Sequence, residues 1–240
     1  MALRMSWLET AKQSLDESGF FELPDLEVGE RISTFQSRNF PYGTVFALEL
    51  LVEPVIFDPR TRDILNAYPE HFVLGHQVRY TAKPGRFFRF WAGAERTSRV
   101  FVVHQWAKGS RVDYWIGSHK VTLPVLRPRL DNQQRKVMEP LLENTKESLI
   151  DAGCKPREFH FPEGGLIITD ARISFDRQAG YEFADVFFPH SLLPKLAMEV
   201  PYSPEMEKKV RNMKEKSGRI GINFEIRYPT QTGNSSQYDK

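Results

Sequence analysis

Six histidines are the first residues to consider for metal binding or acid–base chemistry. They are His71, His76, His104, His119, His160 and His190. His71 and His76 are five residues apart, which is neither the i, i+4 spacing of a zinc pair on a helix nor the i, i+2 spacing of a pair on a strand. No histidine is followed two residues later by an aspartate or glutamate. These spacings favour surface or loop histidines over a metal pair.

Motifs for several other common chemistries are absent from the sequence. The chain has no G-x-G-x-x-G or G-x-x-x-x-G-K-[ST] loop for nucleotide phosphates, and no G-x-S-x-G elbow for a nucleophilic serine. Its single cysteine, Cys154, follows a predicted helix at the end where the helix dipole does not stabilise a thiolate. We therefore expect Cys154 to be an inert thiol.

Charge and cysteine content narrow the class of protein. The 240 residues include 33 Lys and Arg against 31 Asp and Glu, a net charge of +2. That balance gives no argument for a nucleic-acid or anionic-membrane partner. One cysteine forms no internal disulfide, and no apolar run approaches the roughly 20 residues that span a bilayer. We expect a cytoplasmic protein with a single domain over residues 1–228.

A basic and aromatic run, Arg86–Trp91, is followed by Arg96 and Arg99. Single-stranded nucleic-acid platforms mix the same residue types. The interpretation we favour is a strand whose aromatic face lies in the core while arginine stems cover the rim, because the net charge supplies no wider basic surface. Asp170, Arg172 and Asp176 are close enough in sequence to form a polar site, but Asp170 and Arg172 share one face of a predicted strand, which also fits a simple ion pair.

The elements that would position these residues are helices first and strands later. Ser6 as N-cap predicts a first helix, residues 27–38 a second, and Asp58 before Pro59 a third over Pro59–Tyr68. β-branched and aromatic residues predict six strands. They are Phe87–Trp91, Val100–Trp106, Val112–Ile116, Leu166–Ile173, Tyr181–Phe188 and Ile222–Tyr228. This order indicates an α+β fold with an all-β core.

Three further segments complete the chain. Asn132–Ala152 predicts a helical insertion that Pro140 kinks or divides, and Gly153 ends it. Pro204–Gly218 predicts a solvated helix. Residues 229–240 are polar enough to predict a disordered tail.

Three phrases resemble the phytanoyl-CoA dioxygenase-like branch of the Fe(II)/2-oxoglutarate oxygenases, especially its fungal biosynthetic members. They are Ser18–Asp25, the turn W-I-G-S-H-K at Trp115–Lys120, and F-P-E-G-G-L-I-I-T-D-A-R at Phe161–Arg172. The resemblance implies a double-stranded β-helix, the jelly-roll or cupin-like core of that family, with N-terminal helices and a helical insertion. It also implies that His119 belongs to a turn and is not an iron ligand.

The family's chemistry needs a His-x-Asp pair, a distal His and an Arg for 2-oxoglutarate, and the chain departs from that pattern. Gly85–Ser98, where the pair should fall, contains no histidine. Ile173–Asp176 stands in place of the distal histidine, and Tyr181–Pro194 contains no Lys or Arg. We therefore expect a degenerate member without a metal or other cofactor, a pseudoenzyme.

The leading hypothesis is a non-catalytic accessory subunit. It would form a heterodimer with an active paralogous dioxygenase in fungal secondary metabolism, or pair with itself. Trp and Arg dominate interface energetics. The candidate anchors are Trp91, Arg96, Trp106, Arg127 and Arg129.

Two alternatives stay open. One is an active oxygenase that holds Fe(II) and 2-oxoglutarate with atypical ligands, His104 or His160 together with Glu95 or Glu163.

The other is a metal-free isomerase or cyclase that binds a lipophilic substrate in the barrel cavity. Asp113, Asp170 or His104 would be its acid or base, since an apolar cavity raises the pKa of a carboxyl into a useful range.

Overall fold

The computed structural model describes residues 2–92, 99–126, 141–194 and 197–229. Its helices are α1 Ala2–Glu17, α2 Val28–Ser37, α3 Val45–Ala47, α4 Glu53–Ile56, α5 Pro59–Asn66, α6 Lys146–Asp151 and α7 Pro204–Lys216. A π-helical turn, Leu48–Val52, joins α3 to α4, and 3-10 turns cover Ser118–Lys120 and His190–Leu192. No helix in the described ranges is long and apolar enough to cross a membrane.

Thirteen strands are described along these ranges. They are β1 Phe20–Leu23, β2 Phe72–Thr81, β3 Phe87–Arg89, β4 Phe101–Trp106, β5 Ser110–Ile116, β6 Leu142–Asn144, β7 Lys155–Phe161, β8 Gly165–Asp170, β9 Ser174–Ala179, β10 Tyr181–Pro189, β11 Met198–Pro201, β12 Gly221–Ile222 and β13 Phe224–Arg227. The first sheet has the order β1-β8-β4-β10-β2-β12 and the second β6-β3-β9-β5-β7, while β11 and β13 form a parallel pair. The fold is a mixed α/β arrangement with two large sheets.

Alternation along the strands of the first sheet places one face against helices and the other against the second sheet. On β10, Phe183 and Phe187 belong to the core shared with the helices, while Ala184 and Val186 belong to a second core. Residues from both large sheets fill this second core, which we call the inter-sheet core. It is unusually aromatic; its members include Phe20, Tyr80, Phe88, Phe90, Trp106, Tyr114, Phe159, Phe161 and Phe175.

Helix ends that carry strong local signals agree with the sequence. Asp58 caps α5 by accepting from the backbone N–H groups of Arg60 and Thr61 at 2.7 and 3.1 Å, as predicted. The predicted start at Ser6 is wrong, because α1 already begins at Ala2. Helix α7 lies within the predicted charged segment.

Within its described part, the predicted helical insertion is confirmed over α6, which ends before Gly153, and is wrong over β6. Residues 127–140 lie outside the described ranges, and the rest of the segment forms strand β6 followed by the single-turn helix α6. Phe87 pairs with Asn144 and Arg89 with Leu142, so this stretch is an edge strand of the second sheet. Thr145 begins α6 by accepting from Ser148 N–H at 3.0 Å. The predicted tail beyond Tyr228 falls almost wholly outside the described residues.

Candidate functional site

A group of buried polar side chains lies in the middle of the inter-sheet core. His104 on β4 contacts the Glu182 carboxylate through Nδ1 and the Thr169 hydroxyl through Nε2, the latter at 3.1 Å. Arg177 on β9 donates to the other Glu182 oxygen at 3.4 Å. His104 and Glu182 are fully buried and Arg177 is 1% exposed. This group crosses from one sheet to the other, and we call it the central polar group.

Aromatic rings enclose the central polar group. The Arg177 guanidinium lies over the rings of Tyr80 and Phe88, 4.7 and 4.9 Å from their centroids. The His104 imidazole stacks on Trp106 with an interplanar angle of 4°. Burial, with the Glu182 charge adding to it, raises the pKa of the neighbouring Tyr114 phenol well above 10. The centre of the sandwich is therefore filled by side chains.

The turn with the G-S-H-K motif contacts Ser18–Asp25, the first of the three segments that carry the resemblance. Ser118 Oγ donates to Trp115 O at 2.6 Å and accepts from Ser174 N–H at 2.8 Å. The buried His119 ring lies against Gly19, where an added Cβ would stand 2.6 Å from Nδ1. His119 Nε2 bonds to Asp16 O at 3.2 Å. As the resemblance implied, this histidine sits in a turn.

Gly19→Ala is expected to lower the free energy of unfolding by about 2–4 kcal/mol, through a left-handed backbone and a clash with His119. Gly19 has φ +87°. The matched control is Gly117→Ala, because Gly117 has φ +91° and nothing within 4 Å of an added Cβ. Urea unfolding measures both. Equal losses in the two variants would contradict the predicted contact with His119.

Asp170 forms a satisfied ion pair. Its carboxylate accepts from Arg172 backbone N–H and Nε, both at 2.9 Å, and from Nη2 at 2.6 Å. Asp170 is 1% exposed and its bonds are local, which matches the simpler of the two sequence interpretations. Asp170 therefore has little room to act on another molecule.

The outer face of the second sheet, away from the inter-sheet core, carries an open cavity of about 610 Å³. Asp113 on β5 and Asp176 on β9 line it and are direct partners in the strand register. Gln178 Nε2 donates to both carboxyls, at 3.1 Å to Asp113 and 2.7 Å to Asp176. Gly85 N–H also donates to both oxygens of Asp176, at 3.1 and 3.0 Å. We call this the outer-face cavity.

The two carboxyls of the outer-face cavity are both easier to protonate than ordinary aspartates. Burial raises the pKa of Asp113, and the charge of Glu158 on β7 adds to the rise, while the Gln178 bond opposes it. Burial also raises the pKa of Asp176, against the Gly85 bond. Raised pKa values at two adjacent carboxyls in a cavity are a feature of acid–base sites.

Sequence reasoning named Asp113 but placed it inside the barrel, and the structure places it on the outer face. His104 is inside but sealed, and His160 and Glu163 are exposed on β7 and the following turn. Glu95 lies outside the described residues. The described ligand candidates therefore do not converge on one point.

The predicted partner anchors fare unevenly. Trp106 is fully buried, so the prediction that it is an exposed anchor is wrong. Its side chain lies on the face of β4 that packs in the inter-sheet core. Trp91 is partly buried, with its ring 6.3 Å from that of Phe188. Arg96, Arg127 and Arg129 lie outside the described residues.

Comparison with known proteins gives the fold. No family model matches the chain, and no curated protein matches it in sequence. HygX from Streptomyces hygroscopicus, solved with iron bound, is 15% identical with a TM-score of 0.51, over 79% of this chain and 89% of HygX. The epimerase SnoN, solved with Fe3+, alpha ketoglutarate and nogalamycin RO, is 11% identical with a TM-score of 0.53, over 77% of this chain and 84% of SnoN. This chain shares their fold.

This comparison corrects the expectation that no cofactor is involved. HygX has been solved with nickel and 2-oxoglutarate as well as with iron, and SnoN with Fe3+ and alpha ketoglutarate. The fold is thus one that holds a metal ion and a 2-oxo acid in solved examples. The expectation that the chain has no cofactor is therefore wrong, because it disagrees with these solved proteins of the same fold.

The segments where the resemblance implies iron ligands place aromatic rings in the inter-sheet core. Phe90 lies in the first of these segments, Gly85–Ser98, and Phe175 in the second, Ile173–Asp176, with ring centroids 5.7 Å apart and an interplanar angle of 12°. Arg177 supplies a cation for a carboxylate, but it already faces Glu182. Over the described ranges, no three His, Cys, Asp or Glu side chains are placed to hold a metal ion. Phenyl rings supply no ligand atom for iron.

Arg177 and Glu182 were not predicted as site residues from the sequence, and Asp176 was considered only together with Asp170 and Arg172. Arg177 and Asp176 lie on β9, which was not predicted as a strand because its middle residues are polar, while Glu182 lies on β10, which was predicted. The alternation of Phe175 and Arg177 with Asp176 and Gln178 is the signal that was present. It assigns the first pair to the inter-sheet core and the second to the outer face.

Proposed function

We propose that this chain is an isomerase or cyclase that moves a proton on a small organic molecule bound in the outer-face cavity. The supporting observation is the Asp113–Asp176 pair, two cross-strand carboxyls with raised pKa values lining a cavity of about 610 Å³. Small-molecule sites commonly measure about 300–1,000 Å³. The cavity has the size and the titratable groups that such chemistry needs.

The roles of the two carboxyls follow from their different surroundings. Asp176 is 3% exposed and held by Gly85 and Gln178, which keeps it in place. Asp113 is partly exposed and has Gln178 as its hydrogen-bond partner, so it keeps access to a ligand. We assign Asp113 as the group that takes a proton from one carbon and returns it to another, and Asp176 as the group that orients Gln178 and the ligand.

We also propose that the two large sheets form the double-stranded β-helix expected from the resemblance. From β7 to β10 the chain alternates between the sheets, with β7 and β9 in the second and β8 and β10 in the first. Antiparallel neighbours within each sheet support this assignment. On that fold, the proposed chemistry would lie outside the barrel.

The test measures proton exchange at carbon. A panel of β,γ-unsaturated cyclic ketones, with and without an amino substituent, is incubated with the protein in D2O and followed by proton NMR. We expect deuterium incorporation and double-bond migration above the buffer rate. Asp113→Asn should lower that rate by about 10²- to 10⁴-fold. Asp113 must be ionised to take a proton, and its pKa is raised. The exchange rate should therefore increase with pH over a range that lies above the pKa of an ordinary aspartate.

The matched control is Asp151→Asn, an exposed carboxyl at the end of α6 that does not line the cavity. Its exchange rate should equal that of the unmodified chain. If every ketone exchanges no faster with the unmodified chain than with Asp113→Asn, the proposed function is wrong.

A partner-binding role beside a homologous oxygenase is a second candidate. The observation that favours it is the stacked pair of Phe90 and Phe175, which lie in the two segments where the resemblance implies iron ligands. Gel filtration of a mixture with such a homologue separates the two candidates. Coelution supports the accessory role, and two separate peaks contradict it.

A further inference from the structure

Acidic side chains follow one another across three adjacent strands on the outer face of the second sheet. Asp176 on β9 faces Asp113 on β5, which faces Glu158 on β7. Like charges directly opposite one another destabilise a sheet. Neither Asp113 nor Asp176 forms an ion pair with a Lys or Arg in the described part of the chain. The pair is held by an amide and a backbone N–H, and the charges of Arg111, Lys146 and Arg177 act on it without forming an ion pair.

Two aromatic side chains form the wall beside this pair. Phe87 is the register partner of Asp176 on β3, and Trp115 lies two residues after Asp113 on the same strand face. Their rings meet edge to face with centroids 5.5 Å apart. Both residues line the outer-face cavity. Carboxylates beside aromatic faces are the usual surroundings of organic cations in proteins.

The same wall contains a donor without an acceptor. Trp115 is 4% exposed, and its Nε1 has no hydrogen-bond partner among the described residues. A buried donor left unpaired is unfavourable, so such a group calls for an acceptor such as an ordered water or a ligand. Trp115 lines the cavity, so an oxygen atom of a ligand there would supply that acceptor after a small shift of the buried indole.

The rim of the cavity adds little net charge. Lys146 and Glu147 are adjacent and exposed there, and Glu143 is paired with Arg86. Asp113 and Asp176 are therefore the carboxyls of the cavity that are not held in an ion pair among the described residues, although the charge of Lys146 acts on Asp113.

We infer that the outer-face cavity binds a small organic cation, an amine that also carries a hydroxyl or carbonyl oxygen. The ammonium group lies between Asp113 and Asp176, and the oxygen accepts from Trp115 Nε1. The inference rests on the proposed function in one respect, since it names the substrate class for the same cavity.

The experiment compares four probes of similar shape by isothermal titration calorimetry at pH 7. They are trans-2-aminocyclohexanol, cyclohexylamine, cyclohexanol and cyclohexanecarboxylate. We expect the amino alcohol to bind at least 10-fold more tightly than cyclohexanol, and the carboxylate to bind most weakly. Asp113→Asn and Asp176→Asn should each weaken amine binding at least 10-fold, while Asp151→Asn leaves it unchanged.

Trp115→Phe isolates the indole N–H, because it keeps an aromatic wall and changes no charge. It should weaken binding of the amino alcohol about 5- to 10-fold and leave cyclohexylamine within 2-fold. This variant keeps the test decisive if a change at the buried Asp176 prevents folding.

Two outcomes overturn the inference: equal affinity for cyclohexanol and the amines, or tighter binding of the carboxylate. Failure of the inference and failure of the proposed function are separable. If neutral ketones exchange in a way that depends on Asp113, and amines are not preferred, the proposed function stands and the inference of a cationic ligand is wrong. If amines bind in a way that depends on both carboxyls, and no exchange is seen, the inference of a cationic ligand stands and the proposed proton transfer is wrong.

Discussion

Glu182→Ala is expected to lower the free energy of unfolding by about 3–5 kcal/mol, because removal of one member of a buried charge group leaves the others uncompensated. Glu182 is fully buried and contacts both His104 and Arg177. Without it, the Arg177 guanidinium keeps the rings of Tyr80, Phe88 and Phe175 around it but loses the carboxylate that it contacts. Ring faces attract a cation, but they do not replace a carboxylate.

Urea unfolding of three variants checks this expectation. The control is Glu22→Gln on β1, whose pair with Arg157 is about half exposed on both sides and should matter by less than about 1 kcal/mol. The double variant Glu182→Leu/Arg177→Met should recover much of the loss, since it removes both charges together. If Glu182→Ala unfolds like Glu22→Gln, the central polar group does not hold the two sheets together.

The sequence is sufficient for elements whose signals are local. Asp58 before Pro59 marks the start of α5, and Ser203 before Pro204 marks that of α7, because each side-chain oxygen accepts from a backbone N–H within three residues. Strands with apolar or alternating residues, such as β4 and β10, were also predicted close to their observed bounds. Residues close to one another in the sequence are enough to predict where these elements begin and end.

The candidate site depends on contacts that no local pattern contains. Asp176 receives its backbone donor from Gly85, 91 residues earlier, and Gln178 reaches Asp113, 65 residues earlier. The polar residues of β9 resemble a loop until β3 and β5 are paired on either side of it. The face to which Asp113 belongs likewise depends on the register of those strands, which is why the sequence placed it inside the barrel.

The helix-facing side of the first sheet contains a second buried carboxyl, Asp185 on β10. It accepts from Gln77 Nε2 at 2.6 Å and Gln105 Nε2 at 2.7 Å. Gln105 also donates to Leu51 O at 2.8 Å, in the π-helical turn. Burial raises the pKa of Asp185 from 3.8 to about 7, against the two hydrogen bonds. The folded chain therefore holds this proton more tightly than the unfolded chain does.

The stability contributed by this proton should be fully present below about pH 4 and lost as the pH rises to about 7. The shift from 3.8 to about 7 corresponds to about 4 kcal/mol of unfolding free energy. Asp185→Asn removes the titration, because an amide does not ionise in this pH range. The hydrogen bonds are kept, since Gln77 can turn its amide to accept from the new Nδ2 while Gln105 keeps its bond to Leu51. Urea unfolding at pH 5 and pH 8 should therefore show a larger loss in the unmodified chain than in Asp185→Asn. The exposed control Asp151→Asn should follow the unmodified chain. Equal pH dependence in all three would mean that Asp185 stays ionised in the folded chain, and that the two glutamines and the π-helical turn stabilise a buried charge.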